Sequence, residues 1–182
     1  MAEQESTCLT RNVNVIIIPD GTHGTLKEGD VVTIMQSLGG SYTISTETGL
    51  LARINAIDAD ALGKKVQIVH AYDTGTDPES IRDACWDFMR TVYDPEIPVN
   101  VVDLGLIYDC TVRALTDGLN HVHVKMTLTA PGCGMGPVIQ ADIESGIKHM
   151  EGVETVEVEV VLDPPWNQNM MTEAAKLQLG ML

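Results

Sequence analysis

The hydrophobic residues of this chain change period once, at Asp77-Pro78-Glu79-Ser80, and no single architecture accommodates both sides of that change. From Val13 to about Tyr72 short alternating runs are separated by turn residues, with nothing at helical spacing. Candidate strands are Asn14 to Ile18, Val31 to Met35, Ser41 to Thr46, Leu50 to Ile54 and Val66 to Ala71, punctuated at Pro19-Asp20-Gly21, Glu28-Gly29-Asp30 and Gly39-Gly40. Such spacing predicts a small all-β, barrel-like domain over 13–72, preceded by a flexible tail over 1–12. His23 and His70 are isolated in it, and its glycines match turns better than a phosphate loop, because no Lys-Ser or Lys-Thr pair follows them.

Beyond a linker over 73–77 the pattern is that of a second domain, 78–182. Asp77 is placed to cap a helix with Pro78 at its first position, and Ile81, Ala84, Cys85, Phe88, Met89 and Val92 then form one apolar face. Asp94-Pro95 ends this helix. Strands are expected over Leu106 to Val112, His121 to Thr129 and Val153 to Leu162, with a helix from Pro137 to about Met150 and a short one capped by Thr172. The predicted class is α+β: the all-β domain, then a compact α/β domain of about three strands with helices packed on one face.

Hydrophobic residues make up 44% of the chain, enough for a core in each part, while 26 acidic residues against 11 basic ones give a formal charge of −15. No basic stripe appears, which argues against nucleic acid and anionic membranes as partners. The first eight residues lack a basic region followed by an apolar one, and no apolar run approaches membrane-spanning length, so a cytoplasmic location is expected.

The cysteines, at positions 8, 85, 110 and 133, have no close pairing of the kind that zinc ribbons or redox dithiols use. Cys85 falls on an apolar helix face and Cys110 within a strand, where a small hydrophobe is the simplest role, and Cys8 lies in the tail. Cys133 differs. It sits in Ala130-Pro131-Gly132-Cys133-Gly134-Met135-Gly136-Pro137, between a strand and a helix start, where the partial positive charge of unpaired N–H groups favours thiolate, the form that attacks electrophiles and binds metals. Thr127 and Thr129, two apart, are expected on the strand face of His123 and Lys125, able to hydrogen-bond a thiolate or its ligand. Asp94 and Glu96, in a proline-stiffened loop, are candidates to reach the Cys133 turn and bind a cation or accept a proton. His121 and His123 share a strand face but read as solvated, and Trp166 in Asp163-Pro164-Pro165-Trp166 reads as a lid over the core edge or a contact surface.

Four separated motifs in order, Asp94-Pro95-Glu96, Asn100-Val-Val-Asp103-Leu-Gly105-Leu-Ile-Tyr108, Met126-Thr127-Leu-Thr129 with Cys133, and Asp163-Pro-Pro-Trp166, resemble the metal-sulfur cluster biosynthesis family. That family includes the PaaD-like proteins and a cytosolic iron-sulfur targeting factor. Leu38-Gly-Gly-Ser-Tyr42 in the β extension and the ending Asn167 to Met181 are similar to long-form SufT proteins of bacteria. The resemblance implies a role in maturing iron-sulfur proteins, with the family's single cysteine at Cys133, its acidic pair at Asp94 and Glu96, and its strand threonine at Thr127 or Thr129. It implies the SUF-type assembly machinery and apo iron-sulfur proteins as partners, and a transient cluster or iron as cargo rather than a permanent cofactor. One thiolate cannot hold a cluster that normally takes four protein ligands, so a homodimer with two copies of Cys133, a small thiol or the recipient must complete the site. Two other readings stay open: a thiol enzyme with Cys133 as nucleophile, assisted by His149 or His70, and a pure adaptor in which Cys133 is structural.

Overall fold

A computed structural model describes residues 5–66 and 75–181 and divides the chain into two compact units, Met1–Val69 and His70–Leu182. The fold is mixed α+β, one large antiparallel sheet in the first unit and a smaller sheet with helices in the second. No described helix is long and apolar enough to cross a membrane.

The first unit holds six strands, β1 (Glu5–Cys8), β2 (Val13–Ile17), β3 (His23–Leu26), β4 (Val31–Leu38), β5 (Ser41–Thr46) and β6 (Leu51–Ile54), in the order β1-β4-β5-β6-β2-β3. Every pairing is antiparallel. The order has two ends, so among the described residues the ladder is an open sheet rather than a closed barrel. Gly39 and Gly40, both with positive φ, make the two-residue turn between β4 and β5, a conformation in which a Cβ is strained. The flexible tail expected over 1–12 is corrected for its described part. Glu5–Cys8 pairs with β4 from Glu5↔Ile34 to Cys8↔Val31, and Leu9 is buried in the core. Four mostly polar residues carry no periodic signal of their own, and only the partner strand makes them a strand. Val13, Val15, Val32, Ile44, Ala52 and Ile54 fill this core, closed by a 3-10 segment, Ala56–Leu62, that buries Ala59, Ala61 and Leu62. Beyond Val66, the strand expected over Val66 to Ala71 lies outside the described residues.

The second unit contains α1 (Pro78–Met89), β7 (Ile107–Ala114), β8 (Asn120–Met126), α2 (Gly136–Lys148), β9 (Val153–Val160) and α3 (Glu173–Gln178). Asp77 caps α1, its carboxylate accepting from the Ser80 N–H at 3.0 Å. β7 and β8 form an antiparallel pair; β9 returns through α2 to lie parallel to β8 on its other side. Val122, Val124 and Met126 of β8 are buried with Ile81, Cys85, Phe88 and Met89 of α1 and Ile139, Ile143 and Ile147 of α2, so the helices cover one face, as expected. On the opposite face His121 and His123 are half-buried rather than solvated, His121 Nδ1 lying 2.7 Å from the Thr155 hydroxyl and His123 Nε2 3.3 Å from Glu159.

β8 stops at Met126, three residues before the expected end. Its partners give out there: β7 begins at Ile107, β9 ends at Val160, and the Met126 carbonyl accepts from Val161 N–H at 2.8 Å. The alternation stops with them, since Met126 and Thr127 are both buried.

The helices meet where Gly146 of α2 faces Phe88 of α1; a Cβ at Gly146 would overlap the Cζ edge of the Phe88 ring. Gly146→Ala should therefore destabilise by about 1–3 kcal/mol even though alanine is the better helix former. Phe88→Leu in the same chain should recover part of that loss in urea unfolding, and simple additivity of the two substitutions would show that the contact is not the cause.

Candidate functional site

The chain leaves β8 through a buried threonine and enters α2 through the cysteine turn. Thr127 is 1% exposed, and its N–H donates to the Leu106 carbonyl at 2.8 Å. This corrects the expectation that Thr127 shares the solvated face of His123 and Lys125. Thr129 is half-buried. Leu128 packs beneath Gly136, where any Cβ would meet its side chain at 2.7 Å. Two successive turns then place the cysteine: Cys133 N–H donates to Ala130 O at 3.3 Å, and Gly136 N–H donates to Cys133 O at 3.1 Å. Gly132 carries the positive φ that the first turn requires, and fully buried Met135 pins the second to the core. Cys133 is half-buried, two residues before the Met135 cap position, and α2 starts with neither a side-chain cap nor an acidic residue in its first turn.

The acidic loop is less symmetric than Asp94-Pro95-Glu96 implies. Asp94 is 5% exposed, and its Oδ1 accepts from the N–H groups of Glu96 and Ile97, both at 2.9 Å. Burial pushes its carboxyl above the usual range, and the two N–H donors pull against that shift without cancelling it. Glu96 points outward and is exposed. Neither carboxylate hydrogen-bonds the Cys133 thiol, and among the described residues no three His, Cys, Asp or Glu side chains come together to hold a metal ion.

What joins these parts is the segment 99–106. On one side Asp94 N–H donates to Val99 O at 3.2 Å, and Tyr93 bridges Asn100. On the other, Leu106 takes the Thr127 amide. Asn100 braces the segment from within: its Oδ1 accepts from Val102 and Asp103 N–H groups at 3.1 and 2.8 Å, and its Nδ2 donates to Asp103 Oδ2 at 2.7 Å. The C-terminal segment straps it from outside. Trp166 Nε1 donates to Leu104 O at 2.8 Å, Thr172 N–H to Asp103 O at 2.9 Å, and Gln178 Nε2 to Pro98 O at 2.6 Å. Gly105, at φ +75°, lies so close to the Met170 carbonyl that no Cβ fits. Trp166 is thus a lid against the core rather than a free contact surface. The fold brings Asp94 and Thr127 to one braced segment, and Thr127, Thr129 and Cys133 into one connection. The brace itself was missed in the sequence, although Asn100 and Asp103, three apart, have the spacing of an Asx turn.

Residues 82–160 match the model of a family described as iron-sulfur cluster assembly protein. An Fe-S protein maturation auxiliary factor of Porphyromonas gingivalis is 50% identical over 94 residues, 52% of this chain and 86% of that protein. The Fe-S protein maturation auxiliary factor SufT of Staphylococcus aureus is 38% identical over 89 residues, 49% of this chain and 97% of its own length. Among solved structures, a domain of unknown function from Bacillus anthracis superposes with a TM-score of 0.51 at 34% identity, covering 58% of this chain and 96% of that one. The segment matched by the family model contains Asp94, Glu96, the 99–106 brace, Thr127, Thr129 and Cys133, and the chain belongs to the iron-sulfur cluster assembly protein family.

Proposed function

We propose that this protein is a non-enzymatic maturation factor that carries or targets an iron-sulfur cluster, or its iron, to apo-proteins through Cys133. The observation that carries this reading is the half-buried thiol in a turn at the entrance of α2, with no group of three His, Cys, Asp or Glu side chains among the described residues to complete a ligand set. A site that supplies one ligand holds its cargo only while a second molecule supplies the rest, which is the lability that transfer needs. A second copy of this chain, a small thiol or the recipient completes it, and SUF-type assembly proteins and apo iron-sulfur proteins are the partners this implies. Thr127 and Thr129 are the nearby donors in sequence. Glu96, exposed, is the carboxylate available to an incoming cation, while Asp94 spends Oδ1 on holding its loop. His149 Nδ1, the nitrogen that a thiol enzyme could have used, lies 2.6 Å from the Ser145 carbonyl of its own helix.

Anaerobic reconstitution with iron and sulfide should give visible absorbance that Cys133→Ser abolishes, and the variant should fail to support cells under high demand for iron-sulfur proteins. An unchanged spectrum together with full complementation sinks the proposal.

Asp94 separates bracing from charge. Its folded pKa is raised, so the native state keeps the proton where the unfolded chain has lost it. That stabilisation is complete below the unfolded value of about 3.9 and is lost as pH rises through the folded one. Wild type should therefore lose stability relative to Asp94→Asn as pH rises from the acid range to neutral, since the amide keeps the acceptor without the charge. Asp94→Ala leaves two N–H groups unpaired and should cost about 1–3 kcal/mol at any pH. Urea unfolding across pH measures both effects.

A further inference from the structure

The two edges of the β7-β8-β9 sheet are finished differently. Along β9, side chains of α2 take the outward carbonyls: Gln140 Nε2 donates to Val158 O at 2.7 Å, and Lys148 Nζ donates to Glu154 O. Along β7, Leu115 N–H donates to Leu119 O at 2.8 Å, so by antiparallel alternation Arg113, Thr111 and Asp109 turn their backbone groups toward β8 while Cys110 and Val112 turn theirs away from it. Among the described residues β8 is the only strand beside β7, and no other group hydrogen-bonds the outward amides and carbonyls of Cys110 and Val112. An uncovered strand edge of this kind is a template for another strand.

The side chains on that edge select what can pair with it. Asp109, Thr111 and Arg113 are exposed on the face that the helices leave bare, while Val112 is half-buried against the core. In an antiparallel pair of two β7 strands with the two-fold axis at Thr111, Asp109 lies opposite the partner's Arg113, and symmetry repeats the contact. These are non-hydrogen-bonded pairs, the kind whose side chains approach more closely, and Cys110 and Val112 exchange about four backbone hydrogen bonds with the partner's Val112 and Cys110. Moving the axis to Cys110 sets Asp109 against Thr111, and moving it to Val112 sets Arg113 against Thr111, so one register alone matches both charges. The same operation on β9 would bring Glu157 and Glu159 against their own copies.

We propose that β7 is a self-association edge through which two copies of this chain join their three-stranded sheets, in the register centred on Thr111. The dimer does not depend on what Cys133 binds. It does bear on how that site is completed: β7 meets the end of β8 at Ile107↔Met126, just before the Cys133 connection. At about 3.4 Å per residue, the two-fold axis at Thr111 puts the two connections roughly 25 Å apart on opposite ends of the joint sheet. The two thiols therefore do not share one cargo in this dimer, and a small thiol or the recipient supplies the remaining ligands.

Sedimentation equilibrium of the full chain under reducing conditions should show a reversible monomer–dimer equilibrium that Cys133→Ser leaves unchanged. Arg113→Asp and Asp109→Arg each turn two attractive pairs into two repulsive ones and should each raise the dissociation constant by about tenfold or more, with the circular dichroism spectrum retained. An equimolar mixture of these two variants restores both opposite-charge pairs and should dimerise again, as should the double variant. Amide exchange at Cys110 and Val112 should slow as protein concentration rises. A wild-type chain that stays monomeric, a dimer that both single variants leave intact, or a mixture and double variant that remain monomeric overturns the proposal. So does slow exchange at these amides in the dilute monomer, which would mean that the chain covers the edge itself.

Discussion

The hydrogen bond from the Thr127 amide to the Leu106 carbonyl is the joint on which the functional half of the molecule depends. It forms where β8 runs out of strand partners, and it draws Thr127 into the core before the chain enters the exposed turn that leads to Cys133. Everything downstream follows from that redirection: Leu128 beneath Gly136, Met135 in the core, and the thiol of Cys133 held between them at the entrance of α2. A cysteine on a continuing strand would alternate with its neighbours and answer to the sheet. Here it answers to two short turns and a helix end.

The same joint ties the cysteine connection to the acidic loop. Leu106 closes a segment whose other end, Val99, receives the Asp94 amide, and Asn100 and Asp103 stiffen the path between. The C-terminal strap adds donors to carbonyls that the irregular segment would otherwise leave unpaired, at Pro98, Asp103 and Leu104. Buried or part-buried backbone without a partner is costly, so a long loop carrying site residues needs such external satisfaction to stay in one conformation. The strap's Trp166 and the Gly105–Met170 approach serve this end. Side chains that seem remote from Cys133 in sequence are therefore part of what keeps its surroundings fixed.

Much of this was legible in advance where local chemistry decides. Asp77 with Pro78 announced α1, Thr172 announced α3, and the alternation of Val122, Val124 and Met126 announced the covered face of the sheet. Cys133 stood out because its turn is written in glycine and proline. The failures share a cause. β1 is a strand only because β4 lies beside it, β8 ends early only because its neighbours do, and Thr127 is buried only because Leu106 draws it inward. None of these is a property of the residues themselves.

The amino-acid sequence by itself determined the two-part organisation, the helices with their caps, and the isolation of one thiol in a turn, because periodicity and φ preferences act over a few neighbouring residues. Tertiary structure alone decided that the paired acids part company, Asp94 inward and Glu96 outward, and that Cys85 and Met150 bring their sulfurs within 3.9 Å of each other. Burial and proximity across 65 residues of chain, as between Cys85 and Met150, are set by how elements pack, and packing leaves no local signature to read.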